Sequence, residues 1–320
     1  MNESARPTLA IVIVNWNAGE QLRACLQAVT GAKRTQFRLQ HVVVVDNASS
    51  DDSLHDLPGD PLPPQIIRNP DNRGFGAACN QGARLCAADF LLFLNPDTRV
   101  EADALDRAIA HLQSADGAPA GVCGAHLLDP CDGTHRHCAR RATPLRMLAH
   151  LCGVDRLTPW TSGYLMRRWD HADSRAVDHV MGAFYLIRRP LFEALGGFDE
   201  RFFVYLEDLD LSERVRQAGY ALHYRADVRV FHKGGGTSEQ IKARRLHYSL
   251  DSRLRYARKH FSLPGAAAIW AGTLLLEPPL RLVQSLARGS MAQAGETLRA
   301  YRWLLRDLPA CWRLPRPPVR

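Results

Sequence analysis

Leu9-Ala-Ile-Val-Ile-Val14 is an unbroken apolar run, rich in β-branched residues, that stops at Asn15-Trp-Asn17. A run of this kind marks a strand buried on both faces, as in a parallel sheet covered by helices. Behind it, Leu22, Cys25, Leu26 and Val29 recur at helical spacing within 21–29, and His41-Val-Val-Val-Val45 supplies a second buried strand ending at Asp46. The pattern then repeats. A strand around Gln65-Ile-Ile67 leads through Asn69-Pro-Asp-Asn-Arg-Gly74 into a helix over 77–87, and Phe90-Leu-Leu-Phe-Leu94 runs into Asn95-Pro96-Asp97. Alternating strands and helices predict an α/β fold with a mostly parallel sheet, and such sheets bind ligands beyond the carboxyl ends of their strands. Asn15, Asp46, Arg73 and Asp97 all fall at those ends.

Further along, the spacing predicts a helix over 102–113 and a strand over 122–127, followed by an Arg-, His-, Pro- and Gly-rich stretch, 129–174, expected to be an insertion facing the substrate. Regular structure returns as a strand over 179–187, helices over 191–195 and 208–218, and a strand ending in Val230-Phe231-His232. Residues beyond Ser238 read as helices, so two domains are expected, 1–238 and 239–320.

The 320 residues are 46% hydrophobic and 23% charged, which excludes a disordered, fibrous or collagen-like chain. Charge is unevenly placed: residues 1–232 hold 25 Lys+Arg against 28 Asp+Glu, and residues 233–320 hold 16 against 5. A basic C-terminal segment predicts an anionic partner, either nucleic acid or a phospholipid surface. The N-terminus lacks the pattern of a signal peptide, which predicts a cytoplasmic protein with reduced thiols among its eight cysteines. The longest uncharged stretch, Phe261 to Leu276, is interrupted by Pro264 and is shorter than the roughly 20 residues of a spanning helix, so no transmembrane segment is expected.

Four polar clusters could carry chemistry. Asp46-Asn-Ala-Ser-Ser-Asp51 follows a buried strand, where a carboxylate can accept a hydrogen bond from a base or ribose, although Asp and Ser also cap helices. Gly74-Phe75-Gly76 lacks the third glycine of a dinucleotide loop, because Cys79 stands there. Asn95-Pro96-Asp97 ends a strand with a carboxylate suited to a hard cation, and it is also good turn chemistry. Glu207, Asp208 and Asp210 crowd three acids at a helix start, more than the helix dipole alone would place there. His232 ends a strand before Lys233 and a glycine-rich segment, a position suited to a diphosphate or its metal. Cys131-Asp-Gly-Thr-His-Arg-His-Cys138 has neither the CxxC nor the HxxxH spacing of common zinc sites.

Taken in order, Ile13-Val-Asn-Trp-Asn17, Val45-Asp-Asn-Ala-Ser-Ser-Asp51, the 69–80 segment ending at Asn80, Leu94-Asn-Pro-Asp97, Gly182-Ala-Phe, Gly197-Phe-Asp-Glu-Arg-Phe-Phe, Glu207-Asp-Leu-Asp210 and His232 resemble the family 2 glycosyltransferases with a GT-A fold. Within that family they resemble the branch that includes rhamnosyltransferases. The resemblance implies an inverting sugar transfer from a nucleotide-diphosphate donor, dTDP-rhamnose or a UDP-sugar, to a hydroxyl of a glycan or lipid-linked acceptor in cell-surface polysaccharide synthesis. It implies that Asp46 binds a pyrimidine, with Asn15, Asn17, Asn47, Arg73, Gly74, Asn80 and Asn95 in the nucleotide pocket. It further implies a divalent metal, Mg²⁺ or Mn²⁺, on Asp97 and His232, and Asn95 replaces the first acid of the usual Asp-x-Asp motif, as in the rhamnosyltransferase-like branch. Asp208 resembles the catalytic base, with Glu207, Asp210, Gly182 and Ala183 on the acceptor side.

The chemistry fits these residue types on its own account, since displacement at an anomeric carbon needs a carboxylate to take the acceptor proton and a cation for the departing diphosphate. Beyond Ser238, Leu298, Tyr301, Leu304, Leu305, Leu308 and Trp312 alternate with Arg299, Arg302, Arg306 and Arg313. This predicts a basic amphipathic helix that, with 270–276 and Arg281, lies on an anionic membrane surface or else packs on the core. No nucleic acid is expected. The basic residues are not interleaved with aromatics as in nucleic-acid readers, and the acids of 207–210 would repel phosphates. A nucleotidyltransferase would need a glycine-rich basic loop where Asn15-Trp-Asn-Ala-Gly19 stands.

Overall fold

A computed structural model describes residues 6–58, 62–129, 133–157, 164–234 and 242–312. Cys131, Arg313 and the glycine-rich residues 235–238 named above lie outside them. The chain forms two compact units: Met1–Ala139, Arg167–Glu200 and Asp208–Thr237 make the first, and Arg140–Met166, Arg201–Glu207 and Ser238–Arg320 make the second.

The first unit is built on one sheet. Strands β1 (Thr8–Asn15), β2 (Arg38–Asp46), β3 (Gln65–Arg68) and β4 (Phe90–Leu94) are joined by helices α1 (Glu20–Gly31) and α2 (Phe75–Ala83) and lie parallel in the order β3-β2-β1-β4. Two-sided burial explains their composition. Leu9, Ile11 and Ile13 join Leu22, Leu26 and Val29 of α1 in the main core, whereas Val12 and Val45 point at α2. There Gly82 is required by space, because a Cβ on it would sit 2.5 Å from Val12 Cγ1.

Beyond β4 the sheet is mixed rather than mostly parallel. β8 (Phe184–Arg188) enters antiparallel between β4 and β6 (Ala120–Leu128), and β9 (Ala221–His232) runs parallel to β6. The short strands β5 (Thr98–Val100) and β7 (Arg175–Val177) pair antiparallel with β9; at three residues each they carry no readable alternation in sequence. Helices α3 (Ala104–Gln113), α6 (Arg189–Ala194) and α7 (Glu207–Gln217) complete the layers, α7 crossing from the second unit into the first after Glu207. The directions matter for the site. The C-terminal ends of β1, β2, β4, β6 and β9 and the N-terminal ends of β5 and β8 share one edge of the sheet.

The second unit is helical. Helices α4 (Pro144–Leu151) and α5 (Val154–Leu157) belong to it, so the 129–174 stretch is not one insertion: 133–139 bridges back to β6 and to His179 in the first unit. α8 (Lys242–His260) packs along α11 (Met291–Trp312) around Leu250, Leu254, Tyr301, Leu304 and Cys311. Tyr301, Leu304 and Leu308 of the apolar stripe on α11 are therefore covered within their own unit, whereas Leu298, Leu305 and Trp312 stay exposed. Between them, α9 (Leu263–Ala271), a π-helical turn (Gly272–Leu276) and α10 (Glu277–Ala287) run on without a break. This continuous helix, Leu263–Ala287, is 25 residues, longer than the uncharged stretch it continues, and by length and composition alone is apolar enough to cross a membrane. Pro264 falls in the first turn, where its missing N–H costs nothing, and Glu277 is buried and paired with Arg253 and Arg281.

Candidate active site

The first part of the site is a buried polar knot at the ends of β1 and β2. Asn15 Nδ2 lies 2.8 Å from Asp46 Oδ1, 3.0 Å from Ser49 Oγ and 2.8 Å from Ser53 Oγ, and the carboxylate, which can only accept, fixes which way its amide points. Asp46 Oδ2 accepts from the Ser49 N–H. Asn47 donates to the Gly74 carbonyl and accepts from Asn69, which ties the second strand end to the turn that starts α2. Gly74 has φ +86°, a conformation that favours glycine. Asn17, itself left-handed at φ +51°, accepts from the Ser50 N–H, so 15–19 and 46–53 form one rigid cup. Arg73 is exposed on the turn before α2. Asn80 does something else: its amide bonds the Phe198 N–H and carbonyl and Glu200, bracing the 197–200 loop with every polar atom used.

The second part joins residues far apart in sequence. Pairing of β5 with β9 sets Thr98 opposite His232, which brings His232 Nε2 to 3.4 Å from Asp97 Oδ1. The Lys233 N–H bonds the Asp97 carbonyl and the Gly234 N–H bonds Asp97 Oδ2, so Oδ1 and Nε2 are the free faces of the pair. Two ligands adjacent on one octahedral cation of the Mg²⁺ type stand about 3 Å apart, close to this spacing. His232 Nδ1 is buried and accepts or donates no hydrogen bond among the described residues. No group of three or more His, Cys, Asp or Glu set to hold a metal occurs among those residues, so an ion on Asp97 and His232 would be completed by phosphate oxygens and water.

The third part is Asp208. Its Oδ2 accepts from the Gly182 N–H at 2.8 Å, its Oδ1 from the Leu209 N–H at 2.8 Å, and its side chain keeps 16% of its surface exposed. A Cβ on Gly182 would lie 3.3 Å from that Oδ2, so glycine lets strand and carboxylate approach. The next residue, Ala183, accepts from the Asn95 N–H through its carbonyl at 3.0 Å, with its methyl buried. Consecutive residues at the start of β8 thus link Asp208 to the Asn95-Pro-Asp97 turn. Asp210 is fully buried and paired with Arg214 at 2.9 Å, and Glu207 is buried at the opening of α7. The Arg214 cation beside Asp210 relieves the crowding of three acids in four residues, and of the three only Asp208 is presented to solvent.

The sequence missed His179 and Ser212, which pack against Asp208: His179 Nε2 lies 3.9 Å from Asp208 Oδ2, and its Nδ1 lies 3.0 Å from Ser212 Oγ. The only signal was position, since His179 precedes Gly182 by three residues and Ser212 follows Asp208 by one helical turn.

The fold is shared with solved glycosyltransferases. Mannosyltransferase PcManGT from Pyrobaculum calidifontis, solved with GDP-Man and Mn²⁺, superposes with a TM-score of 0.55 at 17% identity, covering 95% of this chain and 89% of that one. GalNAc-T7, solved with UDP, GalNAc and Mn²⁺, gives 0.56 at 15% identity over 97% of this chain and 59% of that one. The fold is GT-A. Residues 10–196 match the family described as Glycosyl transferase family 2, and the chain belongs to that family. Relatives include the N-acetylglucosaminyl-diphospho-decaprenol L-rhamnosyltransferase of Mycobacterium tuberculosis, 28% identical over 88% of this chain and 94% of that protein. O-antigen chain rhamnosyltransferase WbaN of Salmonella anatum is 26% identical over 73% of this chain and 69% of its own length. The protein is a glycosyltransferase of the rhamnosyltransferase-like kind.

Proposed function

We propose that this enzyme transfers rhamnose, with inversion, from dTDP-rhamnose to a hydroxyl of a glycan or lipid-linked acceptor in cell-surface polysaccharide synthesis. The observation that carries the reading is the junction at 182–183, where Asp208 and the Asn95–Asp97 turn meet through neighbouring backbone groups. It is supported by the rhamnosyltransferase relatives, one of which is named for a polyprenyl diphosphate acceptor. Asp46, Asn15, Asn17, Asn47 and Arg73 form the nucleotide side, where a carboxylate between fixed amides accepts from a pyrimidine N–H. A UDP-sugar offers the same N–H, so both nucleotides belong in the test. Asp97 and His232 would hold a divalent cation, Mg²⁺ or Mn²⁺, which when bound neutralises charge on the departing diphosphate. Asp208 takes the proton from the acceptor hydroxyl while that oxygen attacks the anomeric carbon opposite the diphosphate.

The test is sugar transfer from dTDP-rhamnose and from UDP-sugars to N-acetylglucosaminyl-diphospho-polyprenol, followed as nucleotide released. Asp208→Asn should bind nucleotide as the wild type does and lose about 10²–10⁴-fold in kcat, the range of a positioned base. Full activity in that variant would remove Asp208 from the chemistry.

The enzyme's place is at the inner membrane surface, and its contact includes the exposed apolar side chains of Leu263–Ala287. Leu275, Leu276, Leu280, Val283 and Leu286 are exposed there, with exposed Arg288 at the end and exposed Arg299 and Arg302 on α11. Apolar side chains beside cations suit an anionic bilayer.

A further inference from the structure

Three histidines are buried in the first unit beside β6, β8 and α7, and their hydrogen bonds fix their tautomers. His137 Nε2 faces the Ala125 carbonyl at 3.0 Å and so carries the proton; its bare Nδ1 accepts from the Met181 N–H at 3.4 Å. His171 Nδ1 faces the Trp169 carbonyl at 2.9 Å and carries the proton; its bare Nε2 accepts from the Cys138 N–H at 3.4 Å. Both rings are neutral and satisfied by backbone.

His179 differs. Ser212 Oγ lies 2.8 Å from the Asp208 carbonyl, which can only accept, so the single hydroxyl hydrogen is spent there. The two lone pairs of Ser212 are left to accept from Tyr185 O–H at 3.3 Å and from His179 Nδ1 at 3.0 Å. The proton of His179 is thereby fixed on Nδ1, and the bare Nε2 faces Asp208 Oδ2 at 3.9 Å, with no backbone donor on it among the described residues. A shift of about 1 Å brings the two atoms to hydrogen-bond distance. The groups facing the ring are the Asp208 carboxylate from α7, Tyr185 from β8 and neutral His137 from the segment after β6. Burial holds the imidazole neutral, its titration lowered by desolvation and raised in part by Asp208.

We propose that His179 is the neutral acceptor that holds the proton taken up by Asp208, oriented for that task by Ser212. This rests on Asp208 being the base. In the transfer step the acceptor O–H proton passes to Asp208 Oδ2 as the acceptor oxygen bonds the anomeric carbon and the bond to the diphosphate oxygen breaks. The Oδ2–H so formed is donated to the lone pair of His179 Nε2, which stays a neutral acceptor, and the proton later leaves to water from the Asp208 carboxyl, the more exposed member of the pair. His179 is a positioning residue: it touches the base, not the substrate.

Two measurements test it. In two-bond ¹H–¹⁵N spectra of the ¹⁵N-histidine-labelled wild-type protein, with His179→Asn as the assignment control, His179 should be the Nδ1–H tautomer at neutral pH; an Nε2–H tautomer overturns the proposal without any variant having to fold. In the transfer assay, His179→Asn keeps a donor to Ser212 and loses the bare nitrogen. Its KM for the donor should match the wild type, its kcat should fall about tenfold, less than loss of the base itself costs, and imidazole buffer should restore the rate. A merely structural role gives no buffer dependence. Unchanged kcat in His179→Asn alongside an inactive Asp208→Asn defeats the acceptor role alone, whereas an active Asp208→Asn defeats the base assignment beneath it.

Discussion

Single residues set the geometry around Asp208. Gly182 is a glycine because its backbone N–H must reach the carboxylate, and Gly182→Ala places a methyl at 3.3 Å from Oδ2. That variant should lower kcat by about tenfold while leaving nucleotide affinity and the unfolding midpoint near wild type, since a displaced base costs rate rather than binding. Equal loss of binding and rate would mean that Gly182 serves the donor. At the other end of the cleft, Asn15→Ala removes the side-chain donor to the buried Asp46. It should cost about 1–3 kcal/mol in urea unfolding and weaken nucleotide binding together, because one amide holds both the fold and the pyrimidine partner.

At the scale of elements, the parallel half of the sheet could be read from sequence because continuous apolar strands and 3.6-residue helices leave different periods, and the polar residues after Val14, Val45 and Leu94 fell at one edge as the fold class requires. The pairing of Asp97 with His232 was legible only through resemblance. It depends on β5, three residues long, lying antiparallel to the end of β9 across 135 positions, and no local pattern announces that. The burial of α11 was likewise hidden: its apolar stripe looks the same whether a bilayer or α8 covers it. The acids of α7 were read correctly as crowded, but only packing separates the buried Asp210 from the presented Asp208. Arg214→Met removes the cation beside Asp210 and should destabilise the protein by about 3–5 kcal/mol, the cost of stranding a buried charge, while Arg214→Met with Asp210→Leu recovers most of it. A single-variant cost under about 1 kcal/mol would show that the pair does not hold the helix.

Across the whole molecule, His111, His126, His135, His137, His171, His179 and His223 all belong to the first unit and all titrate below the ordinary histidine range, chiefly through burial, His111 at about 4. A depressed folded-state value means that the unfolded chain binds more protons once pH falls below about 6.5, so stability is complete above that pH and is lost as pH drops. The buried His137 and His179 each contribute up to about 1.4 kcal/mol per pH unit to that slope. Thermal melts from pH 8 to pH 5 should fall steadily below pH 6.5, and His137→Gln should flatten the curve; a flat wild-type curve would contradict the neutral, buried state of these rings. Liposomes containing anionic lipid should bind the protein at low salt, and Leu276→Glu with Val283→Glu should abolish binding without changing nucleotide affinity; equal binding to neutral vesicles, or none to anionic ones, removes the membrane face.

The central claim is that one edge of the sheet holds a nucleotide diphosphate through a cation on Asp97 and His232. Calorimetric titration of dTDP and of UDP into the wild type and Asp97→Ala, each with and without Mn²⁺, tests it most directly. The account predicts binding that tightens with Mn²⁺ in the wild type and loses that gain in Asp97→Ala. Binding that ignores both the metal and the substitution, or no binding of either nucleotide under any condition, would contradict it.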